Sequence, residues 1–121
     1  MNQSVIYDMY LDTRNLLGGL KFPNVDMYCI YGTGVETERG IYYDKDKDFP
    51  ANPKKIVYDK NGDSSVNLES LEYCLRWKDQ EKYKFKSMKV NDGDHLGLIK
   101  EYQVLEYLKA EIVNISLSAG N

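Results

Sequence analysis

Apolar residues recur at helical spacing in three stretches of the chain and crowd together without alternation in one. In the first stretch, Val5, Met9 and Leu16 share a face with Ile6, Thr13 and Leu17. This predicts a helix from about Ser4 to Leu17, stopped by Gly18-Gly19. A turn at Phe22-Pro23-Asn24 leads into Val25-Asp26-Met27-Tyr28-Cys29-Ile30-Tyr31, nearly apolar on both faces, as in a strand covered on both sides. Gly32-Thr33-Gly34 ends that run. Two shorter extended pieces, around Gly40–Asp44 and Lys54–Asp59, flank the charged Asp44–Asp48 segment with Pro50 and Pro53, a pattern that predicts an exposed hairpin excursion. A second helix is predicted from about Asn67, a fair N-cap, to Trp77, burying Leu68, Leu71, Cys74 and Leu75. Tyr83–Val90 alternates as a strand. The last helix spans about Leu98 to Val113, with Leu98, Tyr102, Leu105, Leu108 and Ile112 on one stripe, and 115–121 is expected to be a flexible tail.

The order helix, strand, hairpin, helix, strand, helix places the chain in the α/β class. Its 121 residues allow one domain and show no repeat or linker. Only two strong strands are available, and a parallel sheet of two leaves its edges and faces uncovered. The sheet is therefore expected to be incomplete within residues 1–121. The missing strands would come from further polypeptide or from self-association by exchange of a strand or helix.

Charge narrows the function classes. Sixteen basic residues against nineteen acidic ones give a net charge of −3, which leaves no basic excess for binding nucleic acid through its phosphates. The 42% hydrophobic content, with eleven Tyr, argues against a disordered acidic tail. No apolar run approaches the roughly 20 residues of a transmembrane helix. The first eight residues have neither the basic start nor the apolar stretch of a signal peptide, so any targeting signal is expected on polypeptide outside this sequence. Cys29 and Cys74, with the single His95, do not by themselves make a closed zinc site. On composition they fit a pair or two unrelated thiols equally well.

Two turns hold the candidate chemistry: Gly62-Asp63-Ser64-Ser65-Val66 before the second helix, and Gly93-Asp94-His95-Leu96 before the third. Sites in open α/β sheets assemble on loops at the carboxyl ends of strands. An acid on one such loop and a His on a later one fit the last two members of a Ser, Asp, His order. On spacing alone, the plainer reading is favoured, with Asp63 as a turn-forming residue and His95 as a surface or packing residue. Asp44-Lys45-Asp46-Lys47-Asp48 and Asp59-Lys60-Asn61-Gly62-Asp63 have neither the Gly at the sixth position nor the Glu at the twelfth (roughly a 12-residue loop) that a calcium loop needs, so both read as solvated loops. Gly32-Thr33-Gly34 lacks the third Gly of a dinucleotide site. Asn114-Ile115-Ser116 and Asn2-Gln3-Ser4 match the short glycosylation pattern.

Tyr28-Cys29-Ile30-Tyr31-Gly32-Thr33-Gly34-Val35-Glu36-Thr37 resembles the Cys-hydrophobic-Tyr-Gly-x-Gly-x-x-Thr segment of the lecithin:cholesterol acyltransferase family, which includes lysosomal phospholipase A and the phospholipid:diacylglycerol acyltransferases. Tyr42-Tyr43-Asp44, Phe49-Pro50, Gly62–Leu68, Leu71–Trp77 and Asp94-His95-Leu96 resemble further motifs of the family in the same order, so that the likeness spans about 25–113. Ser64 and Ser65 stand where the family has Gly and Thr, a change that bears on the turn's backbone freedom.

This resemblance implies the C-terminal part of an α/β-hydrolase fold, with Asp63 as the triad acid and His95 as the base. It implies a disulfide between Cys29 and Cys74, and hence the secretory pathway or a lysosome-like or extracellular setting. It also implies that Thr33, on a loop facing the site, contacts an acyl chain or a lid. The substrates implied are a phospholipid and an acyl acceptor (water, sterol or diacylglycerol), met at a lipid surface, with no metal or organic cofactor. The nucleophile elbow Gly-x-Ser-x-Gly does not occur in the sequence; Ser116-Leu117-Ser118-Ala119-Gly120 is nearest, but follows the His. The chain is thus expected to be inert alone, lacking nucleophile and oxyanion hole, and active as part of a larger acyltransferase or phospholipase. The competing expectation is a stand-alone, non-catalytic module that binds lipid or protein.

Overall fold

The computed structural model describes residues 3–16 and 19–119. The predicted helix end at Leu17, its stop at Gly18, the Asn2 glycosylation match and the last two residues of the expected tail lie outside the described residues. The architecture is mixed α/β: α1 (Gln3–Thr13), β1 (Met27–Thr33), β2 (Val35–Tyr42), β3 (Lys55–Gly62), α2 (Leu68–Leu71), β4 (Phe85–Asn91) and α3 (Tyr102–Ala119).

The strands form two separate pairs among the described residues. β1 and β4 run parallel in unbroken register from Met27 opposite Phe85 to Thr33 opposite Asn91. β2 and β3 form the antiparallel hairpin, with register breaks between Val35 and Thr37 and between Glu38 and Gly40. Gly34, at φ +86, turns the chain from the first pair into the second. A side chain at Gly32 would run into the backbone carbonyl of Gly93, so glycine here lets the loop after β4 cross directly over the end of β1. In the hairpin excursion, the Tyr43 and Phe49 rings meet edge-on at 5.2 Å, and the Tyr43 hydroxyl donates to the Pro50 carbonyl.

The predicted second helix is corrected to four residues of α-helix followed by a 3-10 segment over Glu72–Trp77. A single helical turn has little stability of its own. This one is pinned instead by the Cys29–Cys74 disulfide, which ties the middle of β1 to the 3-10 segment with the Cα atoms 6.5 Å apart. Leu68, Leu71 and Leu75 are half-buried beside it. Asn67 precedes the turn, but its side chain makes no cap; its amide donates to the Glu38 carbonyl.

The two longer helices depart further from the expectation of buried faces. On α1, Val5, Ile6 and Met9 stay exposed, and Ile6, Tyr7 and Tyr10 line an open groove with Ile41, Tyr43 and Phe49. The last helix begins at Tyr102 instead of Leu98, which lies half-buried in a separate 3-10 turn (Leu98–Lys100). On α3 the buried residue is Val104, with Tyr107 and Glu111 half-buried, while Tyr102, Leu105, Leu108 and Ile112 of the predicted stripe are exposed. Apolar spacing marks a face suited to burial, and the described residues cover this one only in part, leaving Tyr102 and Ile112 most open. Glu111 is anchored instead by Lys86 of β4, whose ammonium lies 2.6 and 2.7 Å from its carboxylate oxygens. The helix also continues to Ala119, where a flexible tail is expected. The Ser116 and Ser118 hydroxyls bond back to the Ile112 and Asn114 carbonyls one turn earlier, which the helix accommodates at a small cost. Only Tyr31, Val90 and Val104 are fully buried apolar residues among those described.

Candidate active site

Asp63 directly follows β3, and His95 lies four residues past the end of β4. The structure brings their side chains together: Asp63 Oδ2 is 2.8 Å from His95 Nδ1. The main chains are tied as well, because the His95 N–H donates to the Asp63 carbonyl at 2.8 Å. The other carboxylate oxygen of Asp63 accepts the N–H groups of Ser65 (3.0 Å) and Val66 (2.7 Å), the turn-forming use that short acidic side chains favour.

These partners set the electrostatics. Asp63 is 2% exposed. Burial alone would raise its pKa, but the hydrogen bond from His95, the N–H groups of Val66 and Ser65 and the charge of His95 together outweigh it and hold the carboxyl below its ordinary value. The His95 side chain is 45% exposed, against 4% for that of Asp63. With Nδ1 held by a carboxylate, the proton sits on Nδ1, and Nε2 becomes the basic nitrogen of the ring.

Further contacts fix the loops around the pair. Asp94 Oδ1 accepts the N–H groups of Leu96 and Gly97, shaping the turn that follows β4, and its Oδ2 accepts the Ser64 hydroxyl. Ser64, where the family motif has Gly, sits at φ +79, in the region that favours glycine. Thr33 is 4% exposed and its hydroxyl donates to the Asn61 carbonyl, tying the end of β1 to β3. Thr37 is 1% exposed; its hydroxyl donates to the Val35 carbonyl and accepts the Ser64 N–H. Sequence reasoning singled out neither Thr37 nor Asp94 by itself. Asp94 was findable, since Asp followed three residues later by Gly is a turn signature. Thr37 is the last residue of the Gly-x-Gly-x-x-Thr resemblance, but periodicity and spacing said nothing of its role, because its partner lies 27 residues away.

The family model described as lecithin:cholesterol acyltransferase matches residues 13–115. This chain belongs to that family. The lysosomal phospholipase A and acyltransferase of Rattus norvegicus is 35% identical over 101 residues, covering 84% of this chain and 24% of the rat protein. The phosphatidylcholine-sterol acyltransferase of Gallus gallus is 40% identical over 92 residues, or 75% of this chain and 22% of its own length. The corresponding Rattus norvegicus protein is 32% identical over 104 residues, covering 86% and 23%. The chain thus spans about a quarter of the length of these curated relatives.

Proposed function

We propose that residues 1–121 carry the acid and base of a serine acyl-transfer site, in the C-terminal part of an α/β-hydrolase domain. The observation behind this reading is the 2.8 Å contact between a buried Asp63 carboxylate and a half-exposed His95. The nucleophilic serine would come from polypeptide outside this sequence, which holds no Gly-x-Ser-x-Gly, so the segment alone is inert. Exposed apolar faces on α1 and α3 support the same reading, since a domain this open needs more protein against it.

In the proposed mechanism, the serine hydroxyl attacks the ester carbonyl of a glycerophospholipid while His95 Nε2 takes its proton. The tetrahedral intermediate collapses, the lysophospholipid oxygen leaves with that proton, and the fatty acyl chain remains on the serine. Water or an acceptor hydroxyl then gives its proton to Nε2 and attacks the acyl-serine; the serine oxygen leaves with that proton, and the fatty acid or new ester is released. Asp63 holds the Nδ1–H tautomer and stabilises the imidazolium formed in each half-reaction. The substrate class rests on the relatives, named as a phospholipase A and acyltransferase and as phosphatidylcholine-sterol acyltransferases. The Cys29–Cys74 disulfide supports an oxidising compartment for the parent protein. In the complete polypeptide, Asp63→Asn is expected to lower ester turnover about 10⁴-fold with its melting transition nearly unchanged. Turnover close to that of the unaltered enzyme would overturn the assignment.

A further inference from the structure

The peptide unit between Asp63 and Ser64 is gripped on both edges. Its carbonyl accepts the His95 N–H at 2.8 Å, and its N–H donates to Thr37 Oγ1 at 3.0 Å. A trans peptide is planar with its N–H and C=O pointing oppositely, so the two contacts fix one plane between them. Thr37 is 1% exposed and also bonded to the Val35 carbonyl, which leaves its hydroxyl little freedom to turn away. It packs directly on Gly62, where any side chain would strike the Thr37 side chain and the Val66 carbonyl. The break in register between Val35 and Thr37 lies at this point, and such irregularities re-aim side chains.

This plane has a reason to flip. Ser64 holds φ +79, a conformation an L side chain adopts at a cost. Rotating the Asp63–Ser64 peptide by half a turn would carry Ser64 back to negative φ and relieve it. The flip would also swing the Asp63 carbonyl away from His95 and set the Ser64 N–H against the His95 N–H, donor against donor. We propose that Thr37 is a positioning residue: its hydroxyl holds the Asp63–Ser64 peptide unflipped and so keeps His95 in register with the Asp63 carboxylate. The effect on catalysis rests on the reading of Asp63 and His95 as acid and base; the effect on His95 geometry does not.

Two readouts test it separately. In the complete polypeptide, Thr37→Val is expected to lower kcat for a phospholipid ester about 10- to 100-fold with KM little changed, while Thr37→Ser, which keeps the hydroxyl, retains most of the rate. Glycine is at ease at positive φ, so in a Ser64→Gly background the Thr37→Val effect should shrink to less than about threefold. An undiminished effect in that background, or full kcat in Thr37→Val, overturns the proposal. The second readout needs no turnover. In the complete polypeptide labelled with ¹⁵N-histidine, the ring signals that disappear in His95→Gln are those of His95, the one histidine of these 121 residues. Thr37→Val should abolish the protected Nδ1–H signal, and adding Ser64→Gly should restore it. An unchanged ring spectrum overturns the proposal even if Asp63→Asn collapses turnover. Full turnover in Asp63→Asn would end the acid–base reading and leave the ring spectrum to decide the role of Thr37.

Discussion

At the loops following β3 and β4, Asp63 is 2% exposed and its carboxylate and carbonyl oxygens all accept hydrogen bonds, whereas on α1 and α3 the residues Met9, Tyr102 and Ile112 lie 59–76% exposed. The loop region is held by polar contacts that residues 33–97 supply to one another. The helices present apolar surface that the described residues do not cover. The contrast shows how directional contacts and area-dependent burial divide a fold. A hydrogen-bonded turn needs only its few partners, while an apolar face contributes stability in proportion to the area removed from water. A segment can thus hold its polar site in finished geometry while its core is unfinished.

The Cys29–Cys74 bond ties β1 to the segment that follows the Asp63 turn. Closing a loop with a sequence separation of 45 stabilises by roughly 4 kcal/mol in the chain-entropy account. Cys29→Ser is therefore expected to lower the urea midpoint by the equivalent of about 2–5 kcal/mol. A loss below about 1 kcal/mol would mean that the polar loop region holds itself without the tie.

A smaller effect is expected at Ser64. Replacing it with glycine removes the cost of its positive φ and should stabilise the folded state by about 1 kcal/mol, read as a shift in the same urea midpoint. Destabilisation by Ser64→Gly would show that its hydroxyl bond to Asp94 outweighs the backbone cost.

The finest comparison is by pH. The folded Asp63 carboxyl is held below its ordinary value, so the unfolded chain binds its proton more readily. Its contribution to stability is fully present above the unfolded carboxylate pKa of about 4 and is lost as pH falls through the depressed folded value. Urea midpoints measured from pH 6 downward should therefore drop more steeply for the unaltered chain than for Asp63→Asn. Parallel curves would show that the Asp63 contacts do not favour its ionised form.

The order of elements was legible because each announces itself over a few residues: the doubly apolar Val25–Tyr31 run, the hairpin with its prolines, and the two turns holding Asp63 and His95. What the sequence did not disclose depends on distance. The outward turn of Leu105, Leu108 and Ile112 follows from what is missing opposite them, and periodicity cannot report that. The short α2 and its 3-10 continuation depend on a tie to Cys29, 45 residues away. Thr37 closes the Gly-x-Gly-x-x-Thr motif, but its role became visible only when the hairpin brought its hydroxyl to the backbone of Ser64. The departure from Gly at position 64 was readable, and the positive φ there gives it a physical meaning.

The central claim is that Asp63 and His95 serve a serine elsewhere in the same protein. A fluorophosphonate serine probe, applied to native extract and followed by capture through this segment, tests it most directly. The account predicts a labelled polypeptide well above the mass of the 121-residue chain, with labelling lost when Asp63→Asn is introduced. A captured band near the mass of the 121-residue chain that takes up no probe, or labelling unaffected by Asp63→Asn, would contradict it.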